Sequence, residues 1–373
     1  MIRFSEMVLP GHPDKFCDQV ADAIVARCEA VDPQAYCQVE VGAWSDQIWI
    51  SGGFTVRTGE SLTLDDIVRD MVRDVGYRDA GGAGRTFKIL DGACRYREDP
   101  RAWSHKVNDQ SICAGWAGYD ALTRFHTPEH FLAHSFREAL WTAIRQGALT
   151  GQGPDGKLLV VMAEENGGWR LEQLLVTLQQ SHEVTFLDFT RRVEGVLGEA
   201  YGTLRRQDPR WCAPWTAVIL TINPNGPLLD AGPEGDNGQT GRKLAMDFYG
   251  PRLGQGGGAL SGKHFTHIDR IGSYAAREAA VRVVQSGARS CRIQVAYAPN
   301  WPEPMEVAVE TEGAGRPPER GFFNFDRLRD RYRDTRIQAA WAQGTHFWDP
   351  AARWNGSANG RPVMRSQDPL EVI

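Results

Sequence analysis

Only six lysines stand in this chain against thirty-six arginines, so the place of each lysine carries information. Four of them fall in segments rich in Gly, Asp or Pro: GHPDK (Lys15), GPDGK (Lys157), GQTGRK (Lys243) and GGGALSGK (Lys263). A lysine kept for solubility belongs on a helix face. In a glycine-rich turn, backbone N–H groups and a compact ammonium together suit phosphate oxygens. Arg242, with its planar fork, joins Lys243, and His12 and His267 lie close to two of the lysines. Asp14 and Asp269 are hard oxygen donors of the kind that hold Mg²⁺. Cationic fork, ammonium and metal are what a polyphosphate needs when it is displaced or cleaved. Taken singly each residue has an ordinary role, such as a helix cap or a surface pair; their shared context points to a site. Two motif matches are set aside. Gly151-x-Gly153-x-x-Gly156 precedes a strand where a dinucleotide-binding turn must follow one, and Gly257 to Lys263 has His264 where a P-loop needs Ser or Thr on Mg²⁺.

The elements that must position these residues read as alternating helices and strands. Apolar spacing of three and four predicts helices over 16–28, 65–75, 128–146, 183–197, 268–285 and 325–343. Alternation predicts strands over 36–44, 47–56, 157–162, 169–177, 292–298 and 305–311, and a buried strand over 215–222. The stretch 223–241 carries five glycines and three prolines and is too long for an idle connection. Strand pairs followed by helices recur about three times, which predicts an α+β protein of three related units. Composition fits a globular chain, 42% hydrophobic and 24% charged over 373 residues. A net charge of −5 gives no general reason to hold nucleic acid. With no long apolar run and no export-type leader, the expected address is the cytoplasm, away from membranes. The seven cysteines (17, 28, 37, 94, 113, 212, 291) lack metal-ligand spacing and read as reduced core residues.

Seven segments, in order, carry a resemblance. GHPDK at 11–15, DQ at 109–110, PDGK at 154–157, INPNG at 222–226, GDNGQTGRK at 235–243, GGGALSGK at 256–263 and DRIGSYAAR at 269–277 resemble the signature segments of the S-adenosylmethionine synthetases. The resemblance implies three intertwined, structurally similar α+β subdomains with pseudo-threefold symmetry, cut here at 1–97, 106–230 and 231–373. It implies a homodimer or a dimer of dimers with active sites between subunits. The implied reaction is attack of methionine sulfur, or of an analogous acceptor, on C5′ of ATP. Triphosphate leaves and is then cleaved to pyrophosphate and phosphate. On this resemblance His12 assists departure at O5′, and Asp14 and Asp269 each serve a Mg²⁺. Lys15, Lys157, Arg242, Lys243 and Lys263 hold the polyphosphate, with Asp155 beside it. Asp109 lies near the ribose, Asp236 near the adenosyl or amino-acid portion, and Gln110 in the acceptor pocket.

The departures from the family pattern are equally specific. Phe54 stands where a Glu helps hold the methionine ammonium. Val41 stands where a Glu serves a monovalent-cation site, although a local shift of alignment would bring the adjacent Glu40 there, which leaves dependence on K⁺ open. His267 replaces a Lys near the substrate, Leu228 replaces a Phe that stacks on adenine, and the segment before Asp109 is short. Losses gather on the acceptor and base side while the polyphosphate residues remain. Three other readings compete with methionine adenosylation: a paralogue serving a different acceptor, a polyphosphate hydrolase lacking alkyl transfer, and a non-catalytic homologue acting as a binding or regulatory subunit.

Overall fold

The computed structural model describes residues 1–56, 62–78, 84–149, 151–181 and 183–356. In chain order the elements are β1 (Ile2–Val8), α1 (Pro13–Val31), β2 (Tyr36–Trp44), β3 (Gln47–Thr55), α2 (Leu64–Val75), β4 (Lys88–Asp91), β5 (Cys94–Arg95) and α3 (Arg101–Ser104). The central stretch contributes β6 (Ser111–Gly118), α4 (Pro128–Arg145), β7 (Gln152–Glu165), β8 (Gly168–Gln180), α5 (Phe186–Gln207) and β9 (Ile219–Ile222). Then follow β10 (Gly238–Gln239), α6 (Leu244–Asp247), α7 (Ile268–Gln285), β11 (Ala288–Tyr297), β12 (Glu306–Gly313) and α8 (Phe325–Arg331).

These strands form three sheets, ordered β1-β7-β8-β9, β10-β2-β3-β4 with β5 also on β3, and β12-β11-β6. The sheets do not respect the linear cuts at 97, 106 and 230. β1 from the first segment pairs with β7, β6 from the second pairs with β11, and β10 from the third pairs with β2. The units are therefore intertwined and of α+β class. Each sheet buries the apolar half of its alternation against helices: α1 and α2 on the second sheet, α4 and α5 on the first, α7 on the third. The outer face of the first sheet leaves Phe4, Leu175 and Ile219 exposed, at 58%, 37% and 63%.

Most predicted elements are present, several with moved ends. The predicted strand 157–162 runs from Gln152 to Glu165, so PDGK lies in a strand past a register shift at Gln152/Gly156 and Lys157 is not in a turn. The expected buried strand 215–222 is a 3-10 turn at 215–217 and an edge strand whose Ile219 faces outward. The helix predicted over 325–343 stops at Arg331. Of the cysteines, all free, Cys94 and Cys212 are exposed rather than core. No described helix is long and apolar enough to cross a membrane.

The tail 344–373 resembles no family segment; its part 344–356 packs into the core, and residues from 357 lie outside the described residues. Trp348 is stacked between His126 and His134, ring centroids 3.7 and 3.8 Å away. Trp354 lies on Tyr274 at 4.0 Å, and His346 reaches the Tyr274 hydroxyl at 2.9 Å.

Candidate functional site

The chain brings its chemistry to two helix starts that repeat one design. At the first, Pro13 pre-sets the opening turn of α1 and His12 caps it, Nδ1 accepting from the backbone N–H of Asp14 at 3.2 Å. That hydrogen bond leaves the imidazole proton on Nε2. Burial and the Lys243 charge push His12 down to about 4, against the pull of Asp14 and Asp236, so the ring is a neutral donor at pH 7. Asp14 is fully buried, accepts from the Gln239 N–H at 2.9 Å, is bonded by Lys243 and has Arg242 at 3.5 Å. Gly238 makes this approach possible, because a Cβ there would sit 2.3 Å from the Pro13 carbonyl oxygen. Asp155 is pushed up to about 6 by burial and accepts from the Gly232 N–H at 2.7 Å. Exposed Asp236 and half-exposed Lys157 act on His12 electrostatically, and Lys157 pairs with Glu6 at 2.7 Å.

At the second start, His267 caps α7 in the same way, Nδ1 accepting from the Asp269 N–H at 3.2 Å. Asp269 accepts from Lys263 Nζ and Ser111 Oγ, both at 2.5 Å. Burial works against its ionisation, yet the Lys263 charge prevails and its pKa falls below the usual carboxylate range. A Cβ on Gly258 would lie 2.5 Å from this carboxyl carbon, so the glycine run wraps the carboxylate closely. Asp109 and Gln110 are exposed just before β6, and Asp109 accepts from the Gln110 N–H at 2.8 Å. His267 is 1% exposed, a buried cap rather than an open pocket wall.

One helix holds both loops. Asp14, Asp18 and Asp22 sit four residues apart along α1, hence on one face. Asp18 accepts from the Gly241 N–H at 2.9 Å and Asp22 from the Gly262 N–H at 2.8 Å. Lys15, expected on the polyphosphate, is instead fully buried, its ammonium 2.8 Å from Asp18 and 2.7 Å from Asp247. With both carboxylates already bound it has no path to a substrate, and its role is to neutralise the scaffold. Arg270 occupies the matching position of α7 and forks onto Asp22 at 2.8 and 2.9 Å. The Arg270 fork of α7 thus meets α1 at Asp22, eight residues and about 12 Å of helix beyond Asp14. The spacing of Asp14, Asp18 and Asp22 was legible in the sequence; their partners, more than two hundred residues away, were not.

The acceptor side differs from expectation. Phe54 is 3% exposed and packs in the core beneath Arg95, 4.9 Å from the guanidinium, and so faces away from the outer side of the sheet. Val41 is likewise core, and Glu40 cannot stand in for a carboxylate there because consecutive strand residues face opposite sides of the sheet. Leu228 is half-buried and pairs with Gln179. On the opposite face of β2 and β3 lies a groove of about 550 Å³. Its wall is an aromatic stack, Trp103 lying 5.8 Å from Tyr36 and 5.6 Å from Tyr96. Trp116 is core and Trp44 lies exposed outside this groove.

Among the described residues, no three His, Cys, Asp or Glu side chains gather into a metal site. The donors nevertheless suit Mg²⁺: two separated carboxylates, each now matched by a lysine ammonium. Mg²⁺ is commonly held by one or two carboxylates together with substrate phosphates.

Comparison with known proteins makes the class of this fold definite. The profile described as "S-adenosylmethionine synthetase, N-terminal domain" matches residues 1–91, and that described as "S-adenosylmethionine synthetase, C-terminal domain" matches 231–326. S-adenosylmethionine synthase 1 of Rhodospirillum rubrum is 34% identical over 344 residues, covering 89% of this chain and 85% of that one. The solved structure of an unusual S-adenosylmethionine synthetase from Campylobacter jejuni superposes with a TM-score of 0.82. At 22% identity it covers 95% of this chain and 97% of its own. The chain belongs to the S-adenosylmethionine synthetase family, whose members are ATP-dependent transferases.

Proposed function

We propose that this chain transfers the adenosyl group of ATP to the sulfur of methionine or a close amino-acid analogue, then cleaves the released triphosphate to pyrophosphate and phosphate. The observation that carries this reading is the doubled helix start, His-x-Asp with a lysine on each carboxylate, held by two glycine-rich loops. Neutral His12 donates from Nε2 to the departing O5′, and Arg242, Lys243, Lys157 and Lys263 take the charge of the triphosphate oxygens. Asp14 and Asp269 would each hold one Mg²⁺, releasing their lysines to the polyphosphate. The metal, when bound, neutralises charge on the leaving group. Asp155 and Asp236 border the first start, and Asp109 and Gln110 border the second.

The roughly 12 Å of α1 between Asp14 and Asp22, where Arg270 docks, argues against the two starts of one chain gripping the same phosphoryl group. A second copy of this chain would bring its α7 start to the first chain's α1 start. The exposed apolar row of Phe4, Leu175 and Ile219 gives such a copy a surface to cover. The test is mass spectrometry of reactions with ATP, Mg²⁺ and methionine, in K⁺ or Na⁺. Methionine-dependent S-adenosylmethionine with pyrophosphate and phosphate supports the reading, with K⁺ making less than a twofold difference. Triphosphate cleavage without nucleoside transfer would favour the hydrolase instead.

A further inference from the structure

Phe54 is buried, so its position on β3 offers no charged group to an acceptor. The groove on the outer face of β2 and β3 supplies one. Its lining includes Tyr36, Gln38, Glu40, Ser51, Tyr96 and Trp103. Glu40 is exposed and, among the described residues, has no basic side chain within ion-pair distance. The place of the groove is fixed by β2. Gln38 bridges the backbone of Lys263, and Gly42, four residues further along the strand, pairs with Gln239 of the other loop. Glu40 therefore lies between the loops that carry Lys263 and Arg242–Lys243. At the far end the Asn108 amide bonds the Tyr36 hydroxyl, which also feels the charges of Asp109 and Asp269.

From this we infer that the groove is the acceptor subsite, in which Glu40 receives the acceptor's ammonium and the stacked Tyr36, Trp103 and Tyr96 carry its thioether chain. The inference rests on the adenosyl-transfer reading and deepens it. A carboxylate beside aromatic faces suits an organic cation, through a charge-assisted hydrogen bond and ring quadrupoles. A bare K⁺ prefers a cage of oxygens, and an anion would be repelled by Glu40. The same wall would favour the sulfonium formed by the reaction.

The test is calorimetric titration with three probes: methionine, 3-(methylthio)propylamine, which keeps the amine and thioether, and 4-(methylthio)butanoate, which lacks the amine. Wild type is expected to bind both amines at least tenfold more tightly than the butanoate. Glu40→Gln should weaken both amines roughly 10- to 100-fold, leaving the butanoate and ATP within twofold, while Trp103→Ala weakens all three thioethers. Amines bound equally by wild type and Glu40→Gln overturn the inference. So does an equal loss of ATP binding, which marks a structural role, or a change confined to K⁺ activation. Glu40-dependent amine binding without any adenosylated product would sink the proposed reaction and leave the groove standing; product with Glu40-independent binding does the reverse.

Discussion

Lowering the pH from 7 to 5.5 should strip this protein of a large part of its stability. Five histidines other than the two caps are withdrawn from water: His126, His130, His134 and His346 are buried and His264 is nearly so. Burial lowers all five, with His130 and His264 near 3. Cations reinforce the effect, Arg277 beside His126 and His130, Arg137 and Arg124 beside His134, and Arg270 beside His264 and His346. Each histidine is neutral in the fold but takes up a proton below about 6.5 once unfolded, so its contribution is complete above that pH and is lost as pH falls. The linkage relation gives about 1.2 kcal/mol per imidazole over this interval, or about 6 kcal/mol for five. Asp155, pushed up to about 6, and Asp18, pushed up to about 7, act the other way. They gain protons in the folded chain over the same interval and offset about 2 kcal/mol. A net loss of about 4 kcal/mol is large against typical stabilities of 5–15 and corresponds to a fall of about 5 °C in Tm for a chain of this length. Urea unfolding followed by tryptophan fluorescence at half-unit pH steps measures it. A midpoint that stays level or rises between pH 7 and 5.5 would refute the reasoning.

Three further outcomes follow from the two helix starts. Lys263→Ala should lower turnover by at least a hundredfold while Tm moves by less than about 2 °C, because its partner Asp269 remains beside Ser111; an unchanged rate in a steady-state assay refutes its role. His12→Asn keeps a capping side chain but removes the Nε2 donor, so nucleoside transfer should vanish while hydrolysis of added triphosphate continues. Parallel loss of both activities counts against a leaving-group role. Lys15→Met should cost about 3–5 kcal/mol, since Asp18 and Asp247 would be left buried without their counter-charge; urea titration checks this, and a loss below 1 kcal/mol contradicts the geometry.

Local periodicity carried much of the fold. The helix 268–285 and the strand 36–44 were placed to the residue, because one amphipathic pattern or one alternation settles them. The first and sixth strands escaped, Ile2–Val8 and Ser111–Gly118, since the former looks like a polar terminus and the latter is small-residue and Gly-containing. Both are specified by partners over a hundred residues away. The same division holds at the site. Lysines in glycine-rich segments were visible as chemistry, but Lys15 shares that appearance and proved to be scaffold. Only the distant Asp247 separates the two roles. In sequence Phe54 reads as a pocket substitution, whereas strand register turns it to the core and makes Glu40 the outward group.

The exchange of strands between segments also governs how this protein can be made. The first sheet waits on the ribosome for β7 before β1 finds its neighbour, and Asp14 waits 229 residues for Lys243. Contacts this distant in sequence slow folding and leave strand edges unpaired while synthesis proceeds. Scission anywhere between residues 119 and 230 yields two fragments, neither with a full set of sheets, and parts Asp14 from Lys243 and Ser111 from Asp269. The catalytic apparatus is thus a property of the finished chain, and expression of isolated segments should give insoluble material rather than working parts.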